Sequence, residues 1–218
     1  MTHNAKRLPW YRCAAIAMAC LIAVPAAAQS AAPSASKIRA ATSKVDGQFI
    51  RANAEKTPDW PSYGLDYAET RFSRLDAINS NNVKDLGLVW SYNLESTRGV
   101  ESTPLVVDGV MYVTASWSVV HAVDVRTGKR LWSFDPKVDR ALGYRGCCDV
   151  VNRGVALYQG KVFVASYDGR LIALDAATGR KVWEKDTIID RKYSYTITGA
   201  PRVINGKVII GNGGAEFG

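Results

Sequence analysis

Asp124-Val125-Arg126-Thr127-Gly128-Lys129-Arg130-Leu131-Trp132 and Asp175-Ala176-Ala177-Thr178-Gly179-Arg180-Lys181-Val182-Trp183 are two copies of one pattern, Asp-x-x-Thr-Gly-x-x-x-Trp, set 51 residues apart. Each closes a longer repeat. The first repeat also contains Pro104-Leu-Val-Val-Asp-Gly109-Val-Met-Tyr-Val113 and His121-Ala-Val-Asp124. The second contains Ala156-Leu-Tyr-Gln-Gly160-Lys-Val-Phe-Val164 and Ile172-Ala-Leu-Asp175, and a third opens at Pro201-Arg-Val-Ile-Asn-Gly206-Lys-Val-Ile-Ile210. Short apolar runs divided by Gly, Asp and Asn are strands and turns. Asp108-Gly109 and Asn205-Gly206 suit two-residue hairpins, because both residue types tolerate positive φ. Gly128 and Gly179 close a later turn, which leaves Trp132 and Trp183 to pack between neighbouring units. Four antiparallel strands recurring at this period make a β-propeller blade, so the fold class is all-β. A closed propeller needs about 4 to 8 blades. This sequence offers a partial blade around Val89–Tyr92, two full units and the start of another, so only the first blades of a longer propeller are expected here.

The 218 residues are 47% hydrophobic and 22% charged, which excludes a disordered or collagenous chain. The net charge of +8 invites a nucleic-acid partner until the basic residues are located. Lys6, Arg7 and Arg12 precede an apolar stretch from Cys13 to Val24 and the small residues Ala26-Ala27-Ala28. Residues 1–28 therefore read as a cleavable signal peptide, and the protein as exported to a periplasm. The apolar stretch is shorter than the roughly 20 residues that span a bilayer, and no cysteine follows the cleavage site to accept a lipid. Cleavage lowers the charge to +5, and the remaining cations (Lys37, Lys84, Lys129, Lys161 and others) are scattered among acids. No nucleic acid is expected as a partner. Residues 29–44, rich in Ala, Ser and Lys, read as a flexible mature N-terminus. A short helix follows from Asp46 to about Asn53, and residues 45–218 carry the propeller.

Two features carry candidate chemistry. Cys147 and Cys148 are adjacent. Their Cα separation of about 3.8 Å lies below the usual disulfide range, so a bond between them closes a strained ring that an oxidising compartment favours; inert thiols, or pairing with other cysteines, are the alternatives. The segment continues to Arg153, a guanidinium suited to anionic oxygens. Gly213-Gly214-Ala215-Glu216-Phe217-Gly218 combines bare backbone, which a flat ligand can approach, with a carboxylate that suits Ca²⁺. An ordinary turn with a solvated acid is its plainer reading.

Cys147-Cys148-Asp149-x-Val151-Asn152-Arg153-Gly154, the two Asp-x-x-Thr-Gly-x-x-x-Trp segments, Trp60-Pro61-Ser62-Tyr63-Gly64 with Arg71-Phe72-Ser73, and the Gly-Gly-Ala-Glu-Phe-Gly ending together resemble the N-terminal part of the pyrroloquinoline quinone (PQQ)-dependent methanol/ethanol dehydrogenase family. The resemblance runs from about Val45 onward. It implies an eight-bladed propeller, PQQ and Ca²⁺ as cofactors, and a primary alcohol oxidised to its aldehyde with electrons passed to a cytochrome c. It further implies a haem c in a C-terminal domain not included here, and association with the inner membrane through partner subunits. Glu101 then corresponds to a carboxylate contacting the quinone, and Cys147-Cys148 to a vicinal disulfide against the PQQ plane. Arg153 and Thr198 match donors to cofactor carboxylates, Gly214 and Ala215 match backbone contacts, and Glu216 matches a Ca²⁺ ligand. Where some relatives carry Ser, this chain has Gly213. The family's catalytic aspartate falls past Gly218, so no catalytic residue is assigned within the sequence. The absence of a long insertion between Gly154 and Trp183 leans toward the quinohemoprotein alcohol enzymes. The rival reading is a non-catalytic propeller scaffold of the outer-membrane assembly type, which needs neither Cys-Cys nor Glu216.

Overall fold

The computed structural model describes residues 31–146 and 148–214; the expected signal peptide, Cys147, Ala215 and Glu216 lie outside them. Two antiparallel four-stranded sheets form its centre. The first is β1 (Leu105–Val107), β2 (Val110–Thr114), β3 (Val120–Asp124) and β4 (Arg130–Phe134); the second is β5 (Ala156–Tyr158), β6 (Lys161–Ala165), β7 (Arg170–Asp175) and β8 (Lys181–Asp186). In each, spatial order follows chain order. β9 (Arg202–Ile204) and β10 (Lys207–Ile209) pair as the opening of the third repeat.

The hairpins form where the sequence allows positive φ. Asp108 and Gly109 adopt φ of 45° and 77°, and Asn205 and Gly206 adopt 49° and 72°. Gln159 and Gly160 make the same turn with φ of 44° and 74°, although glutamine does not announce it. The Asp-x-x-Thr-Gly segment works as a self-closing turn. Thr127 and Gly128 donate their backbone N–H groups to the Asp124 carbonyl, and the Thr127 hydroxyl donates to the Asp124 carboxylate at 3.1 Å. Asp175 accepts from Thr178 and Gly179 in the same way.

The turn also seats a tryptophan from the preceding repeat. Trp132 Nε1 donates to the Ala176 carbonyl at 3.1 Å, and a Cβ on Gly179 would lie 2.5 Å from the Trp132 ring. Trp90 does the same one repeat earlier: its Nε1 donates to the Val125 carbonyl at 2.8 Å, and a Cβ on Gly128 would lie 2.7 Å from its ring. Inter-unit packing is thus confirmed for Trp132. Trp183 stays 38% exposed and packs on Phe163 within its own sheet, since no further Asp-x-x-Thr-Gly turn occurs among the described residues. The partial blade expected at Val89–Tyr92 is not a strand: a ladder needs a second strand, and none flanks this segment among the described residues, leaving Leu88 and Val89 each 86% exposed.

One apolar core runs through both sheets and the N-terminal helices, including Leu105, Tyr112, Trp132, Leu157, Val164, Ile172 and Leu174 with Ile38, Val45 and Ile50. Burying each large aliphatic side chain contributes about 1.5–3 kcal/mol. Residues 35–42, expected to be loosely ordered, instead form α1 (Ala35–Thr42), capped by the Ser34 hydroxyl accepting from Lys37 N–H. Composition hid this helix because its hold is tertiary: Ile38 and Thr42 are buried, Arg39 pairs with Asp175 at 3.0 Å, and Gly160 N–H donates to the Thr42 carbonyl. α2 (Gly47–Lys56) starts at Asp46 as expected, its carboxylate accepting from Gln48 and Phe49, and runs one turn past Asn53. No helix among the described residues is long and apolar enough to cross a membrane.

Candidate functional site

Glu101, Arg153 and Thr198 each stand a few residues ahead of the first strand of successive units, β1, β5 and β9. Equivalent positions in stacked repeats share one end of the structure, and the backbone joins them there. Thr103 N–H donates to the Arg153 carbonyl at 3.1 Å, and Arg153 N–H donates to the Thr198 carbonyl at 2.9 Å. The Arg153 side chain spans the same three segments: Nη2 pairs with Glu101 Oε2 at 2.8 Å, and Nη1 donates to Thr198 Oγ1 at 2.6 Å. The Arg153 side chain is 35% exposed and that of Glu101 46%. Of the five N–H donors of a guanidinium, this geometry leaves some for an incoming anion.

Asn152 fixes the backbone on which Arg153 sits. It is buried, and its Nδ2 donates to Ser118 Oγ at 3.1 Å and the Ala165 carbonyl at 2.9 Å; its Oδ1 accepts from Gly154 N–H at 3.0 Å. The Thr114 hydroxyl donates to its carbonyl at 3.0 Å. Gly154, at φ 131°, lets this segment pass so close to Thr103 that a Cβ would lie 3.0 Å from the Thr103 carbonyl oxygen.

Cys148 opens the same connection. It is disulfide-bonded, while the three other cysteines, Cys13, Cys20 and Cys147, all lie outside the described residues. Its neighbour Asp149 is tied to Arg98 by two side-chain hydrogen bonds and accepts from Gly99 N–H at 3.4 Å. The Arg98 guanidinium holds the Asp149 carboxyl below its usual range. Val150 accepts from Trp117 N–H at 2.8 Å, and Trp117 packs edge-on against buried Tyr167. The 213–214 segment meets this connection from the other side. Gly213 pairs with Thr196 through two backbone hydrogen bonds, and a Cβ on Gly214, at φ 96°, would lie 2.3 Å from the Ser194 carbonyl oxygen and 3.0 Å from that of Arg145. Arg145 Nε is buried with no partner.

The structure therefore brings Glu101, Arg153 and Thr198 into direct contact and sets Gly214 against the backbone just ahead of the cysteines. Cys147, Ala215 and Glu216 cannot be located among the described residues, where no cluster of three His, Cys, Asp or Glu could hold a metal. Sequence reasoning missed Asn152, the Arg98–Asp149 pair and Arg145. Only the position of Asn152 and Asp149 inside the cysteine motif could have drawn attention to them. Chemically, the group can offer an anion the spare donors of a guanidinium, a hydroxyl and a glycine-lined backbone.

Residues 60–216 match the PQQ glucose/ethanol/alcohol dehydrogenase β-propeller domain. The chain is 67% identical over 200 residues to a quinohemoprotein alcohol dehydrogenase of Comamonas testosteroni, covering 92% of this chain and 28% of that one. It is 68% identical over 160 residues to a 1-butanol dehydrogenase (cytochrome c) of Thauera butanivorans, covering 73% and 23%. The crystal structure of the Comamonas testosteroni quinohemoprotein enzyme superposes with a TM-score of 0.82 at 71% identity, over 84% of this chain and 28% of that one. The chain thus spans about a quarter of the length of these relatives. By fold, repeat and sequence, it belongs to the family of PQQ-dependent glucose/ethanol/alcohol dehydrogenase β-propellers.

Proposed function

We propose that the chain forms part of a periplasmic, PQQ- and Ca²⁺-dependent alcohol dehydrogenase that oxidises primary alcohols to aldehydes and delivers the electrons to a cytochrome c, with a haem c domain as a further element. The observation that carries this reading is the Arg153 clamp, in contact with Glu101 and Thr198 and five residues from disulfide-bonded Cys148. The donor set fits the cofactor. PQQ presents carboxylates at its rim, and here a guanidinium with free donors stands beside a hydroxyl. When bound, PQQ accepts the two electrons released with the alcohol's hydride, and Ca²⁺ acts as a Lewis acid at its carbonyl.

The chain's own residues bind and orient. Arg153 holds a carboxylate oxygen while Glu101 keeps the guanidinium from turning into solvent. Thr198, with its hydroxyl already accepting from Arg153, directs its own proton outward to a second acceptor. Asn152 holds the backbone on which Arg153 sits. Cys148, bonded to Cys147, forms a flat and rigid wall, and Ala215 and Glu216 complete the backbone contacts and the Ca²⁺ site.

The experiment is reconstitution of the full-length protein with PQQ and Ca²⁺, followed by dye-linked oxidation of a panel of primary alcohols. Turnover is expected, with Glu216→Ala raising the Ca²⁺ concentration needed for it. Inactivity across the panel removes the dehydrogenase reading, and an unchanged Ca²⁺ requirement in the variant removes Glu216 from the metal site.

A further inference from the structure

In the sequence the cysteine pair is flanked by Gly146 and Asp149, and both flanks are fixed. Gly146 lies against the buried Tyr167, where a Cβ would stand 2.5 Å from the phenolic oxygen, and the Tyr167 hydroxyl donates to the Gly143 carbonyl at 3.2 Å. On the other side, Asp149 stands at φ 66°. Aspartate visits this left-handed region more readily than most residues, but a single conformation there persists only where the surroundings hold it.

The hold comes through the carboxylate. Asp149 accepts from Nη2 and Nε of Arg98, the latter at 3.2 Å, from Gly99 N–H at 3.4 Å and from Val150 N–H at 2.8 Å. Arg98 reaches it from a segment that is itself anchored. Arg98 N–H donates to Ser96 Oγ at 3.1 Å, Ser96 Oγ lies 2.7 Å from Ser116 Oγ, and the buried Ser116 hydroxyl donates to the Gly99 carbonyl at 2.9 Å. Trp117, next along the chain, ties down the backbone beyond Asp149 by donating to the Val150 carbonyl.

We propose that Arg98 is a positioning residue for the Cys148 disulfide, acting through Asp149. A single ion pair at this exposure, 51% for Arg98 and 30% for Asp149, contributes modestly to global stability. Its effect is local. With Gly146 and Asp149 held, the two residues between them keep little of the freedom that opening the disulfide would otherwise release, so the oxidised form is favoured. This role rests on the proposed Cys147–Cys148 pairing and is independent of what the pair faces.

Equilibration of the full-length apoprotein with dithiothreitol tests it. The reagent opens the disulfide to two thiols while closing to its own cyclic disulfide, and alkylation followed by peptide mass spectrometry reads the fraction open. Arg98→Gln is expected to raise the equilibrium constant for opening about tenfold, equivalent to about 30 mV. Arg39→Gln, which loses the ion pair to Asp175 instead, is expected to keep the wild-type value. Adding Asp149→Asn to Arg98→Gln is expected to change nothing further. Equal constants in wild type and Arg98→Gln overturn the role, and so does an equal rise in Arg39→Gln, which would make the change a consequence of lost stability. Additive effects in the double variant overturn the route through Asp149, and peptides joining Cys148 to a cysteine other than Cys147 overturn the role outright. Titration of the same proteins with PQQ separates the disulfide from the cofactor site: easier opening with a raised Kd supports both, whereas easier opening with an unchanged Kd keeps Arg98 as the positioning residue and removes the disulfide from the cofactor wall.

Discussion

Arg153 is held through its backbone on both sides and through its side chain at two points, and these two kinds of restraint separate in their expected consequences. Arg153→Lys keeps the charge and the backbone bonds but loses the fork that serves Glu101 and Thr198 together. Affinity for PQQ is expected to fall about tenfold, the equivalent of one good hydrogen bond, with the melting temperature of the full-length protein nearly unchanged. Asn152→Ala removes the acceptor of Gly154 N–H and the donor to Ser118 and Ala165 in a buried setting, and is expected to cost about 2–3 kcal/mol of stability. If Asn152 positions Arg153, PQQ affinity falls in this variant too. Titration of the apoprotein with PQQ, followed by intrinsic fluorescence, reads both; a variant that melts lower yet binds as wild type ends the positioning role. The sequence exposed these two residues unequally. Arg153 stands out by resemblance within a short motif, whereas Asn152 acts through Ser118 and Ala165, 34 and 13 residues away, and Arg98 reaches Asp149 across 51 residues. Such pairings exist only after folding.

The turns were readable because their causes are local. Positive φ at Asp108-Gly109 and the Asp-to-Thr hydrogen bonds of the Asp-x-x-Thr-Gly segments need nothing beyond a few residues. The α1 helix was not readable, because Arg39, Thr42 and Ile38 are held by the second sheet and its turns. Between these extremes lies the tryptophan-on-glycine contact, whose two halves are both visible in the sequence and whose pairing with the next repeat is not. Two glycines measure the difference. Gly206 has φ 72° with nothing near its missing Cβ, while Gly179 has φ 70° with the Trp132 ring 2.5 Å from that point. Gly206→Ala is expected to cost about 1 kcal/mol for the left-handed backbone alone. Gly179→Ala adds overpacking against the ring and is expected to cost about 2–4 kcal/mol. Thermal unfolding of the two variants compares them directly. Equal losses would show that the ring moves aside freely and that the contact does not join the repeats.

Trp90 and Trp132 obey one rule: the indole donates to the carbonyl that follows the Asp of the next Asp-x-x-Thr-Gly turn and lies over that turn's glycine. A rule seen twice in succession extends along a stack of repeats, because each sheet presents the same face to its neighbour. Trp183 occupies the next equivalent place, and it and Val182 on β8 are the large apolar side chains left exposed on that strand, at 38% and 46%. The chain spans about a quarter of the length of its relatives, which leaves a longer protein room for further repeats. Trp183 in a full-length protein is therefore expected to be covered as Trp132 is, at 9% exposure, with its indole N–H bonded to a carbonyl of the following unit. Trp183→Phe then removes a buried hydrogen bond and part of an aromatic contact, for an expected loss of about 1–3 kcal/mol, close to that of Trp132→Phe. The variant should also lose a blue-shifted, quencher-resistant component of the tryptophan emission. A melting temperature equal to wild type, with the lost emission readily quenched by iodide, would mean that Trp183 remains in solvent and that the stacking rule stops at the second repeat.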